Sequence, residues 1–187
     1  MRYVKIFMVI LCKGVKIMVT YNEYIVKRKK TLIDYLICIL SPVIALALAY
    51  FSTGILLAIP AFSFLVPAAW LGFIWLSVKA IGSRNVEFEY LLTDCDLDVD
   101  KIINKSRRKR IISTYRKEII VMAPKGSTNL PSDWESLTKI DVTSSPDEDD
   151  VYVLIVQQDT RKAVIFQPTQ KMIDTMIMRN PRKVFKG

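Results

Sequence analysis

The chain has 187 residues, 51% hydrophobic and 24% charged, with 27 Lys and Arg against 18 Asp and Glu. That much apolar content beside that many charges places the apolar residues in a stretch of their own, which excludes an ordinary soluble globule. Three scattered Cys cannot build a disulfide framework, and the complete lack of His removes Ser-His-Asp and Cys-His catalysis, most zinc chemistry and the usual pH switch.

Residues 1–17 open with Arg2 and Lys5 ahead of a short apolar run that ends at Cys12. The run is too short for a secretory signal, Lys13 interrupts it, and no small-residue cleavage site follows. Leu11 also stands where a lipoprotein would need a small residue. Lys13-Gly14-Val15-Lys16-Ile17 back-translates to a ribosome-binding sequence at ordinary spacing ahead of Met18. Translation is therefore expected to begin at Met18, with 1–17 a mis-assigned leader whose loss removes Arg2, Lys5, Lys13 and Lys16. Residues 18–31 read as a cytoplasmic N-terminal segment ending in Lys27, Arg28, Lys29 and Lys30.

From residue 35 to residue 78 the sequence contains no Asp, Glu, Lys or Arg. One helix of that length would measure about 66 Å, twice a bilayer core of about 30 Å, so the run predicts two crossings. Ser52-Thr53-Gly54 is the expected break, giving spans over 32–51 and 55–78 within a transmembrane hairpin at 32–78. Ala45 and Ala49 on the first span, and Ala68 and Gly72 on the second, place small residues four apart and predict close helix approach. Between residues 35 and 78 neither span offers an Asp, Glu, Lys or Arg inside the bilayer, which disfavours transport. The basic flanks, Lys79 and Arg84 included, and the uncharged loop between the spans put both termini in the cytoplasm of a multi-pass cell-membrane protein.

Beyond Arg84 the pattern changes to short alternating segments. Val86, Phe88, Tyr90 and Leu92 alternate with Glu87 and Glu89, the period-two signature of a half-buried strand. Further strands are predicted at 96–103, 107–113 and 116–122. An irregular stretch over 123–138, a strand near 139–143 and an acidic loop at 144–150 follow, then a hairpin from 151–156 and 162–166. Pro168-Thr169 opens a helix in which Met172, Ile173, Met176 and Ile177 share one face. Residues 179–187 form an aperiodic tail. Strands closed by one amphipathic helix, here over 85–178, is the order of a pleckstrin-homology-like (PH-like) fold, a bent antiparallel sheet whose open end the helix plugs. The fold class is thus an α+β membrane protein, a two-helix transmembrane hairpin followed by a β-rich, PH-like cytoplasmic domain with one C-terminal helix.

Tyr21-Asn22-Glu23-Tyr24, Val86-Glu87-Phe88-Glu89-Tyr90, Asp96-Leu97-Asp98-Val99-Asp100, Arg107-Arg108-Lys109-Arg110, Met122-Ala123-Pro124 and Pro181-Arg182-Lys183-Val184-Phe185 carry a resemblance. With the two spans, they resemble an uncharacterised family of small two-span membrane proteins of Gram-positive bacteria. The likeness runs from Met18 onward, and more distantly the chain is similar to bacterial membrane proteins in which a transmembrane hairpin precedes a PH-like domain. The resemblance implies the architecture and no activity.

Asp94, Asp96, Asp98 and Asp100 alternate and are expected to share one strand face. A calcium loop fails, because Val99 stands where Gly is needed and Lys105 where a bidentate Glu is needed. If 104–106 turns back as a hairpin, the aspartates face Arg107, Arg108, Lys109 and Arg110, where cross-strand pairing is the plainest outcome. That basic cluster is also the candidate contact for anionic lipid headgroups or a protein partner, since tethering holds it near a negative surface. Nucleic acid is not expected, because no aromatic residues interleave with the basic ones. Cys38 reads as a small apolar span residue, and acidic neighbours should raise the thiol pKa of Cys95. Trp134 reads as a binding anchor or a local core plug, and Asp147-Glu148-Asp149-Asp150 as a solvated run. No phosphate loop, nucleophile elbow or metal-ligand spacing is present, so no cofactor and no metal is expected. The sequence therefore reads as a non-enzymatic interaction or scaffold module on the lipid bilayer. An enzyme using Asp96 and Asp98, or an oligomeric membrane assembly, is the alternative.

Overall fold

The computed structural model describes residues 21–145 and 150–186. The expected leader, the Met18 start and residues 147–149 of the acidic run lie outside the described residues. The chain forms two compact units, a helical one containing residues 29–86 and 103–107, and a β-rich one containing the other described residues.

In the helical unit, α1 (Leu32–Ala58) is followed by a 3₁₀ turn (Pro60–Leu65) and α2 (Val66–Gly82). The Asp34 carboxylate accepts from the Thr31 backbone N–H at 3.0 Å and the Thr31 hydroxyl at 2.7 Å, which closes the start of α1. The break is not at Ser52-Thr53-Gly54, and α1 runs straight through it. Ser52 and Thr53 donate their hydroxyls to the Ala49 carbonyl at 2.8 and 2.9 Å, satisfying them inside the helix. Pro60 ends α1 instead. It has no N–H to donate and drives Ile59 into extended backbone (φ −119°, ψ 102°).

α1 presents Asp34, Ala45 and Ala49 as its buried residues, and α2 presents Ser77 and Gly82. The Ser41 and Ser77 hydroxyls lie 2.9 Å apart, and Trp70 Nε1 donates to Thr53 Oγ1 at 2.9 Å, so the two helices are pinned at two levels. The expected small-residue face is half right. Ala45 and Ala49 pack inward, but Ala68 and Gly72 face outward, with nothing within 4 Å of a Cβ placed on Gly72. Bonds made by Thr53 and Ser77 set the rotation of α2, and they outweigh the spacing of small residues.

In the β-rich unit, β1 (Tyr21–Lys27), β2 (Val86–Thr93), β3 (Asp96–Ile103) and β4 (Arg107–Thr114) form one sheet in that order. β5 (Ile119–Pro124), β7 (Tyr152–Gln157), β8 (Arg161–Phe166) and β6 (Thr138–Asp141) form a second. Two sheets replace the single bent sheet expected, and β6 runs parallel to β8. The expected N-terminal segment also contributes a strand. Tyr21–Lys27 pairs antiparallel with β2, from Tyr21 opposite Thr93 to Lys27 opposite Glu87. The polar Asn22 is buried like Val26 while the apolar Ile25 is exposed, so polarity does not follow burial and the sequence carries no period-two signal. The helical pair is thus an insertion between two hydrogen-bonded strands.

Tyr90 on β2 and Phe166 on β8 meet edge to face at 5.7 Å, and the Tyr90 hydroxyl donates to the Val142 carbonyl at 2.6 Å. α3 (Gln170–Arg179) buries Met172, Ile173 and Met176, as its 3.6-residue period requires. The residues beyond it are not a loose tail. The Met122 N–H donates to the Lys183 carbonyl and the Phe185 N–H to the Met122 carbonyl, both at 2.8 Å, so Val184 covers the outer edge of β5. Trp134, on a 3₁₀ turn (Trp134–Ser136), packs against a cluster that includes Val121, Leu130 and Ile155, and is a core plug.

Candidate functional site

Successive side chains of a strand point to opposite faces, so the run at the start of β4 must split. Arg108 and Arg110 turn to the carboxylates of the neighbouring strands. Arg108 Nη1 lies 2.9 Å from Glu89 Oε2, and its Nη2 donates to Glu89 Oε1 at 3.3 Å. Arg110 donates from Nε to Asp100 at 2.8 Å and from Nη1 to Asp98 at 2.9 Å, a fork across two aspartates. Ser113 also donates to Asp98, three positions from Arg110. A regular strand would turn these two to opposite faces, so β4 changes face between them. Ile112 and Thr114 consequently point into the core.

Two of these carboxylates lie deep. Glu89 is 2% exposed and Asp100 is 3% exposed. Burial pushes the Glu89 carboxyl above the usual range, a hydrogen bond with Glu23 adds to the shift, and Arg108 opposes it. Tyr21 extends the row by donating to Glu23 at 3.4 Å. The sequence reading missed Glu23 and Glu89. Their signal was the acidic position between Phe88 and Tyr90, on the face of β2 opposite its buried aromatics.

The four aspartates do not share a face. Asp94 sits in the turn between β2 and β3 with φ 54° and pairs with Arg179 at 2.9 Å. Asp96 accepts from the Arg116 N–H at 2.9 Å, and only Asp98 and Asp100 meet the basic strand. Arg107 and Lys109 are exposed and have no partner among the described residues. Burial is the main reason the Cys95 thiol is raised. Its acidic neighbours contribute less, and Arg116 and Arg179 pull the other way.

Two depressions mark the β-rich unit. One of about 510 Å³ is lined by Asp96, Tyr115, Arg116, Lys117, Asn180 and Lys183. Its arginine is already spent on the Asn180 side chain at 2.9 Å and the Arg179 carbonyl at 2.6 Å. The other, of about 500 Å³, lies where Tyr24 and Ile25 of β1 face Tyr152 and the start of α3 at Thr169, Gln170 and Ile173.

Strands in two four-stranded sheets, closed by a C-terminal helix and with two long apolar helices inserted after the first strand, define a mixed α+β protein with a PH-like domain. The chain belongs to the family described as Bacterial PH-like domain (DUF6106), whose model matches residues 18–186. No curated protein and no solved structure matches it.

Proposed function

We propose that the protein is a membrane-anchored, non-catalytic interaction module. α1 and α2 cross the bilayer as a hairpin, both flanks lie in the cytoplasm, and the PH-like domain is held there to engage a protein partner or anionic lipid. The observation that carries this reading is the outward surface of the helices. The most apolar windows of α1 and of the segment from Pro60 to Gly82 are only 11% and 6% buried, so side chains such as Leu32, Tyr50 and Phe64 are left uncovered by the described residues. A core helix of a soluble protein buries that surface, whereas lipid covers it at no hydrophobic cost.

The pairing of β1 with β2 supports a common side for both flanks, and Lys29, Lys30, Lys79 and Arg84 favour the cytoplasmic one. Binding is favoured over catalysis because the deepest carboxylates are held by Arg108 and Arg110, and burial holds the Cys95 thiol protonated. Alkaline carbonate extraction and reporter fusions test the reading. The full chain should stay with the membrane pellet, a reporter fused after Gly187 should read as cytoplasmic, and one inserted at Ser63 as external. Release by carbonate, or the opposite sidedness, would overturn it.

A further inference from the structure

The helical unit contains one acidic residue, Asp34, and six basic ones, Lys29, Lys30, Lys79, Arg84, Lys105 and Arg107. All six stand at the same end of the helix pair. Lys29 and Lys30 precede α1, while Lys79 and Arg84 lie on the last turn of α2 and just past it. Asp34 at the start of α1 lies 3.9 Å from Arg84, which brings the two helix ends together. Lys105 and Arg107 arrive from the turn between β3 and β4. That turn docks on the end of α2, where the Asn104 N–H donates to the Asn85 carbonyl at 2.8 Å. The Asn104 side chain lies so close to Gly82 that a Cβ there would come within 3.0 Å of it. Asn104 and Lys105 both adopt left-handed backbone, φ 52° and 55°, which turns the chain back sharply enough to leave Lys105 and Arg107 exposed. The opposite end of the pair, Pro60–Leu65, has no charge.

We propose that this collar binds the anionic headgroups of phospholipids, with Lys105 and Arg107 adding a second tier to the basic residues that flank the helices. The proposal rests on the membrane reading above. It divides the basic run of β4 by role: Arg107 goes to lipid, while Arg108 and Arg110 go to the carboxylates of the sheet. Lys79, stacked 4.4 Å over the Trp75 ring, places a natural reporter one helical turn from the collar.

The test reconstitutes the full chain in phosphatidylcholine vesicles doped with brominated phosphatidylglycerol or, separately, brominated phosphatidylcholine, and reads quenching of tryptophan fluorescence. Quenching by the brominated phosphatidylglycerol should be at least about twofold stronger, a conservative figure when each basic side chain at the surface is worth roughly fivefold in partitioning. The preference should collapse in the double variant Lys105→Glu with Arg107→Glu and in about 0.5 M salt. It should survive Lys109→Glu with Lys171→Glu, which changes the net charge equally. Equal quenching by the two lipids in the parent chain, or equal loss in both double variants, would overturn the collar while leaving the anchor intact. Quenching by neither lipid would remove the anchor and the collar together.

Discussion

Arg110 and Lys109 are neighbours in sequence and opposites in consequence. Removing Arg110 strands the buried Asp100 and leaves Asp98 with Ser113 alone, so Arg110→Ala should cost about 1–2 kcal/mol, a figure held down by the half-exposed position of the guanidinium. Lys109→Ala should stay within about 0.5 kcal/mol, both read by thermal unfolding of the full chain in a neutral detergent. The hydroxyl of Thr114, fully buried, has no hydrogen-bond partner among the described residues. Thr114→Val should therefore raise stability by about 1 kcal/mol, and a loss of that size would mean the hydroxyl is satisfied after all. Glu89 makes stability depend on pH. Its carboxyl is raised in the folded chain, so its contribution is complete below the ordinary carboxylate range, near pH 4, and is lost as pH rises through the raised value. Glu89→Gln stays neutral throughout. The difference in melting temperature should therefore move in the variant's favour as pH rises above the ordinary carboxylate range, and a constant difference would refute the shift. At this scale the sequence showed which residues carry charge but not their partners. Opposite charges on adjacent strands were legible at Asp98, Asp100 and Arg110. The Glu89–Arg108 pair was not, because it needs β2 and β4 to reach across β3, a long-range fact absent from any local spacing.

The helix pair shows what element-level reading can and cannot extract. Charge-free length fixed the existence of two helices, since about 1.5 Å of rise per residue leaves no room for one. Turn propensity then misplaced the break, because Ser, Thr and Gly are weak breakers when the hydroxyls can bond back to a carbonyl one turn earlier, whereas Pro60 cannot avoid interrupting the ladder. The small-residue rule found Ala45 and Ala49 but not the rotation of α2, which depends on the pairing of Ser77 with Ser41 and of Trp70 with Thr53. A contrast follows. Ala49→Leu, at a 1% exposed site between the helices, should destabilise by about 1–3 kcal/mol through overpacking, while Gly72→Leu should be tolerated. Equal sensitivity at the two sites, measured by thermal unfolding in detergent, would mean that the helices pack on the other face.

For the whole molecule, the governing feature is the insertion of the helices between β1 and β2. A fragment beginning after α2 lacks β1 and exposes the bare backbone edge of β2, so a product spanning 85–187 should aggregate. Joining Lys27 directly to Glu87 through Asn-Gly replaces the helices by a tight turn between residues that already face each other. That product should remain soluble and monomeric by light scattering. Solubility of the shorter fragment with a native-like melt would show β1 to be dispensable.

The same insertion imposes an order on biosynthesis. β1 leaves the ribosome while its hydrogen-bonding neighbour is still some sixty residues from being made, a delay of about 3–12 s at roughly 5–20 residues per second. For that interval the nascent strand waits with its backbone unsatisfied, and the sheet can close only after the apolar hairpin has been disposed of. Whatever receives the hairpin therefore acts before the domain exists.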